Sequence, residues 1–191
     1  GFKEKDFIFA SFGQSLKITK QMFSIWMRIM QKVPNSVLWL LTSNKTCESN
    51  LKSFAKNEFG IQPERINFAK KVSFDAHIQR HQIIDLFLDT FPYNAHTSAS
   101  DALWAGCPII SVSGETFASR VAGSILTEIG CSELIVSSFE KYEKKAIELA
   151  SQPNKIISLK RKILDLNKTS NLFKPKKFTL DLEGKMIDLM N

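Results

Sequence analysis

The chain has 191 residues, 43% hydrophobic and 24% charged, enough for one domain with a buried core and too apolar for wholesale disorder. No apolar run approaches the ~20 residues of a membrane-spanning helix and there is no basic-then-apolar leader, so no membrane partner is expected. The net charge of +7 arises wholly between Ser138 and Lys177, where eleven Lys/Arg outnumber four Asp/Glu; these charges alternate with Ile147, Leu149, Ile156, Ile157, Leu159, Ile163 and Leu164 as on the wet face of packed helices, without the interleaved aromatics of a nucleic-acid surface, so no nucleic-acid partner is expected either.

Short apolar runs alternate with amphipathic stretches along the chain. Asp6–Phe12 reads as a buried strand. Thr19 is a plausible cap for a helix with Met22, Trp26, Ile29, Met30 and Val33 at helical spacing, stopped by Pro34 and Asn35. Ser36–Leu41 is the second strand, and a helix from about Cys47 through Leu51, Phe54 and Ala55 ends at Gly60. Arg65–Ala69 is the third strand, followed by a short helix capped by Ser73 and carrying His77, Arg80 and Ile84. Leu86–Leu88 makes strand four. A helix Ser98–Ala105, a strand Pro108–Val112, a helix Glu115–Ile129 and a strand Glu133–Val136 complete the alternation. From Phe139 onward the pattern is helical only, over Tyr142–Ser151, Asn154–Asn167 and Lys176–Met190.

Continuous apolar strands separated by helices call for a parallel sheet covered on both faces, an α/β doubly wound, Rossmann-like fold. The division expected is a lobe over 1–137 and a helical extension over 138–191 packing on it. Cys47, Cys107 and Cys131 are odd in number, fit no zinc spacing and read as reduced thiols, which points to a cytoplasmic location.

Ligands of such sheets bind beyond the carboxyl ends of the strands. After strand one, the turn Gly13–Lys17 offers the Gln14 amide and the Lys17 ammonium, either a solvated lysine or a point cation for a diphosphate. The segment Thr90–Asp101 (TFPYNAHTSASD) places His96, Thr97 and Ser98 at a helix start, where free N–H groups and the dipole favour an anion. Asp101, one turn further on, could reach the vicinal hydroxyls of a ribose. The bland alternative is that Thr97 or Ser98 merely caps the helix. His77 and Arg80 share a helix face suited to stacking on or bonding a base. His81 completes an i,i+4 pair with His77, but no third ligand is offered nearby, so no metal is expected. Glu115 reads as a carboxylate in the first turn of its helix. G-x-G-x-x-G, Walker A, nucleophile-elbow and C-x-x-C patterns are all absent from the sequence.

Three linked blocks, NSVLWLL (Asn35–Leu41), LDTFPYNAHTSASDALWAGCPII (Leu88–Ile110) and SGETFASRVAGSIL (Ser113–Leu126), with FGQSLKIT upstream, resemble the C-terminal catalytic lobe of the O-GlcNAc transferase and SPINDLY family. The resemblance covers roughly Phe7 to Val136. It implies a GT-B glycosyltransferase of two Rossmann-like lobes that moves a sugar from a nucleotide donor to Ser or Thr of proteins, without a metal or other cofactor. It also implies roles: Gln14 and Lys17 at the diphosphate, with Lys17 acting in catalysis; His77 and Arg80 at the base; His96, Thr97 and Ser98 at phosphate; Asp101 at ribose. The expected donor is UDP-GlcNAc. The alternatives are a SPINDLY-type lobe using GDP-fucose and a non-catalytic module, either nucleotide-sugar-binding or a scaffold that keeps the fold without the chemistry.

Two departures from the pattern accompany the resemblance. Phe74 stands where the UDP-GlcNAc enzyme carries a Lys. The chain also opens Gly-Phe-Lys rather than with Met, and the family's N-terminal lobe, acceptor groove, general base and TPR repeats have no counterpart in it. A donor-binding half that is inactive alone is therefore expected.

Overall fold

The computed structural model describes residues 2–42 and 44–190. Strands β1 (Phe7–Ser11), β2 (Ser36–Leu41), β3 (Ile66–Ala69), β4 (Leu86–Leu88), β5 (Ile109–Val112) and β6 (Ile135–Val136) form one parallel sheet in the order β3-β2-β1-β4-β5-β6. Parallel neighbours need crossovers, and helices supply them: α1 (Lys20–Lys32), α2 (Lys45–Phe59), α3 (Phe74–His81), α4 (Thr97–Trp104) and α5 (Val121–Glu128). Because the chain starts in the middle of the sheet and winds outward in both directions, the strand order reverses between β1 and β4. The loops after these two strands part there and leave a crevice.

The sheet is the centre of the core, with Phe9, Leu38, Leu40, Phe87, Leu88 and Ile109 at 0–1% exposure. The Thr19 hydroxyl caps α1 by accepting the Met22 N–H at 3.1 Å. Seven residues of α1 are buried, more than one helical stripe, because α6 (Phe139–Ala150) covers it from outside. Trp26 Nε1 donates to the Tyr142 hydroxyl on α6 (3.3 Å), which in turn donates to the Asp89 carbonyl just past β4 (3.0 Å). This chain of bonds carries α6 across to the loop at the crevice.

Gly60 ends α2 with φ +67°, a left-handed cap that an L side chain resists. The helix expected over Glu115–Ile129 is shorter. Thr116 and Ser119 form a reciprocal capping box around a separate 3-10 turn, Phe117–Ser119, and α5 starts only at Val121. Glu115 therefore lies ahead of the cap and not in a first helical turn. The last strand is Ile135–Val136, because Ser132–Leu134 is also wound as a 3-10 turn.

α7 (Pro153–Thr169) packs on α4 and α6, and Lys160 reaches Asp85 at 3.7 Å. α8 (Pro175–Met190) buries none of its residues. The three cysteines are free thiols, Cys107 and Cys131 buried. Among the described residues no helix is long and apolar enough to cross a membrane.

Candidate functional site

The crevice at the switch point has a volume of about 640 Å³. Gln14, Lys17, His77, His96, Thr97, Ser98 and Asp101 all line it, together with Phe12, Leu41 and Tyr93. Seven of the eight residues singled out from the sequence thus meet from three separate segments, the turn after β1, the helix α3 and the mouth of α4. A cleft of similar volume, about 650 Å³, lies at the amino ends of β1 and β2. Its Arg65 is already engaged by the Met30, Val33 and Ser36 carbonyls, so that guanidinium is a brace of the fold.

The Gly13–Lys17 segment winds as a 3-10 turn over Ser15–Lys17 and turns the lysine back toward β4. Lys17 Nζ donates to the Asn94 carbonyl at 3.0 Å and sits 3.9 Å from the centre of the Tyr93 ring. Burial lowers the pKa of this ammonium, and the charge of Asp89 partly restores it. The ammonium is thus held at the crevice wall by a carbonyl dipole and an aromatic face.

At the mouth of α4 the first amides with an acceptor inside the helix are those of Ala99 and Ser100, both on the His96 carbonyl. The Thr97 and Ser98 amides precede them and are the orphan donors of a helix start. The N-cap is His96, whose side chain makes no capping bond, so neither hydroxyl is used as a cap. The His96 ring stacks on Tyr93 (5.0 Å, 25°) and meets Phe117 edge-on (6.0 Å), and its Nε2 is buried without a partner. The helix mouth therefore presents two amides, two hydroxyls and an imidazole.

Arg80 is the residue that does not line the crevice. Its guanidinium lies 4.4 Å over the Phe12 ring, donates to the Lys70 carbonyl at 2.9 Å and donates to His77 Nδ1. With Nδ1 accepting, His77 carries its proton on Nε2, which faces Asp101 Oδ2 at 3.5 Å. Burial and then the Arg80 charge lower the His77 pKa against the pull of Asp101, while burial raises that of Asp101 against the pull of His77. The base-side and ribose-side candidates are thus a contacting pair, oriented from behind by Arg80.

His81 points the other way, into the core between Phe12 and Phe87. Its Nδ1 donates to the His77 carbonyl at 2.7 Å, and desolvation takes its pKa down to about 4. Among the described residues no three His, Cys, Asp or Glu side chains converge as a metal site requires. Phe74 is 66% exposed and does not line the crevice.

Sequence reasoning missed Tyr93, Asn94 and Asp89. Asp89 is 1% exposed and its pKa is raised to about 7, by burial and against three hydrogen bonds and the Lys17 charge. The only signal was a carboxylate directly after an apolar strand.

A six-stranded parallel sheet in this order, flanked by helices and with a crevice at its switch point, defines a Rossmann-like lobe of the GT-B glycosyltransferase kind. Glycosyl transferase family 41 matches residues 1–182, and the chain belongs to that family. It is 36% identical over its whole length to the Arabidopsis thaliana protein named "Probable UDP-N-acetylglucosamine--peptide N-acetylglucosaminyltransferase SEC", covering 20% of that protein. Over 92% of its length it is 30% identical to the Solanum lycopersicum protein bearing the same enzyme name with the suffix SPINDLY, covering 19% of it. A mutant of the Thermobaculum terrenum O-GlcNAc transferase superposes with a TM-score of 0.88 at 24% identity, over 97% of this chain and 36% of that one. The chain thus spans about a fifth of the length of these two curated relatives.

Proposed function

We propose that the chain is the donor-binding lobe of a protein O-glycosyltransferase that takes UDP-GlcNAc. One observation carries this reading: Lys17, the α4 amides and the Thr97 and Ser98 hydroxyls face one crevice that also holds the His77–Asp101 pair. A nucleoside diphosphate has the matching order of groups, with phosphates at the helix mouth and cation, ribose hydroxyls beside Asp101 and the base toward His77.

As the sugar–phosphate bond breaks, negative charge gathers on the departing diphosphate. Donors already fixed at that position stabilise it without reorganising. Lys17 is the strongest of them, and its role is greatest in the transition state. The acceptor groove and the base that activates a Ser or Thr hydroxyl are assigned to parts of the enzyme beyond these 191 residues, so this chain binds donor and transfers no sugar alone.

Calorimetric titration of UDP, GDP and UMP into the chain tests the reading. UDP is expected to bind at least about tenfold more tightly than GDP, or ~1.4 kcal/mol. Tighter GDP binding moves the chain to the SPINDLY-type GDP-fucose reading, and no binding of either diphosphate leaves the scaffold reading.

A further inference from the structure

Asp89 follows β4 directly, at the switch point, and does not itself line the crevice. A buried carboxylate needs its lone pairs filled, and three donors fill them here. Oδ1 accepts the backbone N–H groups of Thr90 (2.7 Å) and Ala95 (2.6 Å). Oδ2 accepts the Ser111 hydroxyl from β5 (2.6 Å). The first two donors stand at the two ends of the 90–95 loop, so one oxygen closes that loop on itself. The third ties the closed loop to the neighbouring strand. Within the loop, Thr90 Oγ1 donates to the Tyr93 carbonyl (2.6 Å) and Asn94 Nδ2 to the Thr90 carbonyl (2.9 Å).

Both groups that hold Lys17 ride on this loop: the Asn94 carbonyl and the Tyr93 ring. A buried negative charge near a diphosphate site weakens anion binding by itself, so what recommends Asp89 here is the geometry it fixes. We propose that Asp89 is a positioning residue of the diphosphate site, acting through the loop that aims Lys17. A lysine already held in place loses less rotamer entropy when its ligand arrives, and that advantage disappears when the loop is unclasped. The inference rests on the donor-lobe reading and adds to it a residue that touches no ligand.

A double-mutant cycle on UDP binding by this chain, read by calorimetry, tests it. In the wild-type background Lys17→Ala is expected to weaken UDP binding about tenfold. In the Asp89→Ala background the same change is expected to cost less than about twofold, because the lysine is no longer aimed. Asp89→Asn keeps one oxygen for the two N–H groups and an amide donor for the Ser111 oxygen, so the loss on Lys17→Ala should return to about tenfold. Equal Lys17→Ala losses in the wild-type and Asp89→Ala backgrounds would show Asp89 to be merely structural and overturn the proposal. Loss of the Lys17 contribution in Asp89→Asn overturns it too, by assigning the effect to charge. If Asp89→Ala does not fold, Ser111→Ala decides: it removes one bond of the clasp, and an unchanged Lys17→Ala loss there is equally fatal. Wild-type chain that binds no UDP sinks the donor reading as well, whereas UDP binding with independent losses sinks only the role of Asp89.

Discussion

His81 and Asp89 are ionisable side chains with almost no contact with solvent, and burial moves their pKa values in opposite directions. The His81 value falls from 6.5 to about 4, so its share of stability is present above 6.5 and is lost as pH falls through about 4. The Asp89 value rises from 3.8 to about 7, so its share is complete below 3.8 and is lost as pH rises through about 7. Asp89→Asn keeps the clasp and removes the titration. It should therefore be more stable than wild type at pH 8, by about 2 kcal/mol or ~4–8 °C in Tm, with the gain shrinking toward pH 4. Thermal unfolding of both proteins from pH 4 to 8 checks this, and a constant offset would mean that Asp89 stays ionised throughout. Neither group shows its behaviour in the sequence. His81 looks like the partner of His77 at i,i+4, yet the turn of α3 sends it into the core. Asp89 meets Ser111 only because β4 and β5 pair Leu88 with Ile110.

Caps and turns are local chemistry, and they were the most legible level of the fold. Thr19, Ser73 and Gly60 act where the sequence places them, because each satisfies or terminates the backbone within a few residues. The Glu115–Ile129 helix was misjudged for the same reason in reverse: the Thr116–Ser119 box is also local, but it closes a turn of its own before α5 begins. Long-range contacts were not legible, and Gly106 is an example. It follows α4 with φ +80°, and a Cβ there would come within 2.7 Å of Leu164 on α7. Gly60 has φ +67° but open space around it. Gly60→Ala should cost about 1 kcal/mol from backbone strain alone. Gly106→Ala should cost roughly 1–3 kcal/mol more, because the α4–α7 contact must spread to admit the methyl group. Chemical denaturation of the two variants gives the difference directly, and equal losses would mean that Leu164 yields without penalty.

At the scale of the molecule, the crevice was legible as a set of loops but not as contacts. Parallel alternation alone brings Gln14, Lys17, His77 and the His96–Asp101 segment to one edge, whereas the Lys17–Asn94 bond joins residues 77 apart in sequence. The same distinction bears on where the lobe ends. α6 is bound to the rest through Tyr142, Trp26 and the Asp89 carbonyl, and α7 through Ile156, Leu159 and Ile163, which are buried. α8 has Phe178, Leu180, Met186 and Ile187 more than half exposed and no buried residue. Hydrophobic stabilisation scales with the area removed from water, so α8 contributes little to the unfolding free energy of this chain. We therefore propose that the cooperative unit runs through α7 and excludes α8. Removing residues 175–191 should leave Tm within about 2 °C of wild type and UDP affinity within about twofold. Removing residues 138–191 strips the cover from α1 and the brace from the Asp89 carbonyl, and should abolish cooperative unfolding. Calorimetric scans of the two truncations separate the helices: a large loss of Tm in the shorter deletion would place α8 inside the unit, and a sharp transition surviving the longer one would end the lobe near residue 137.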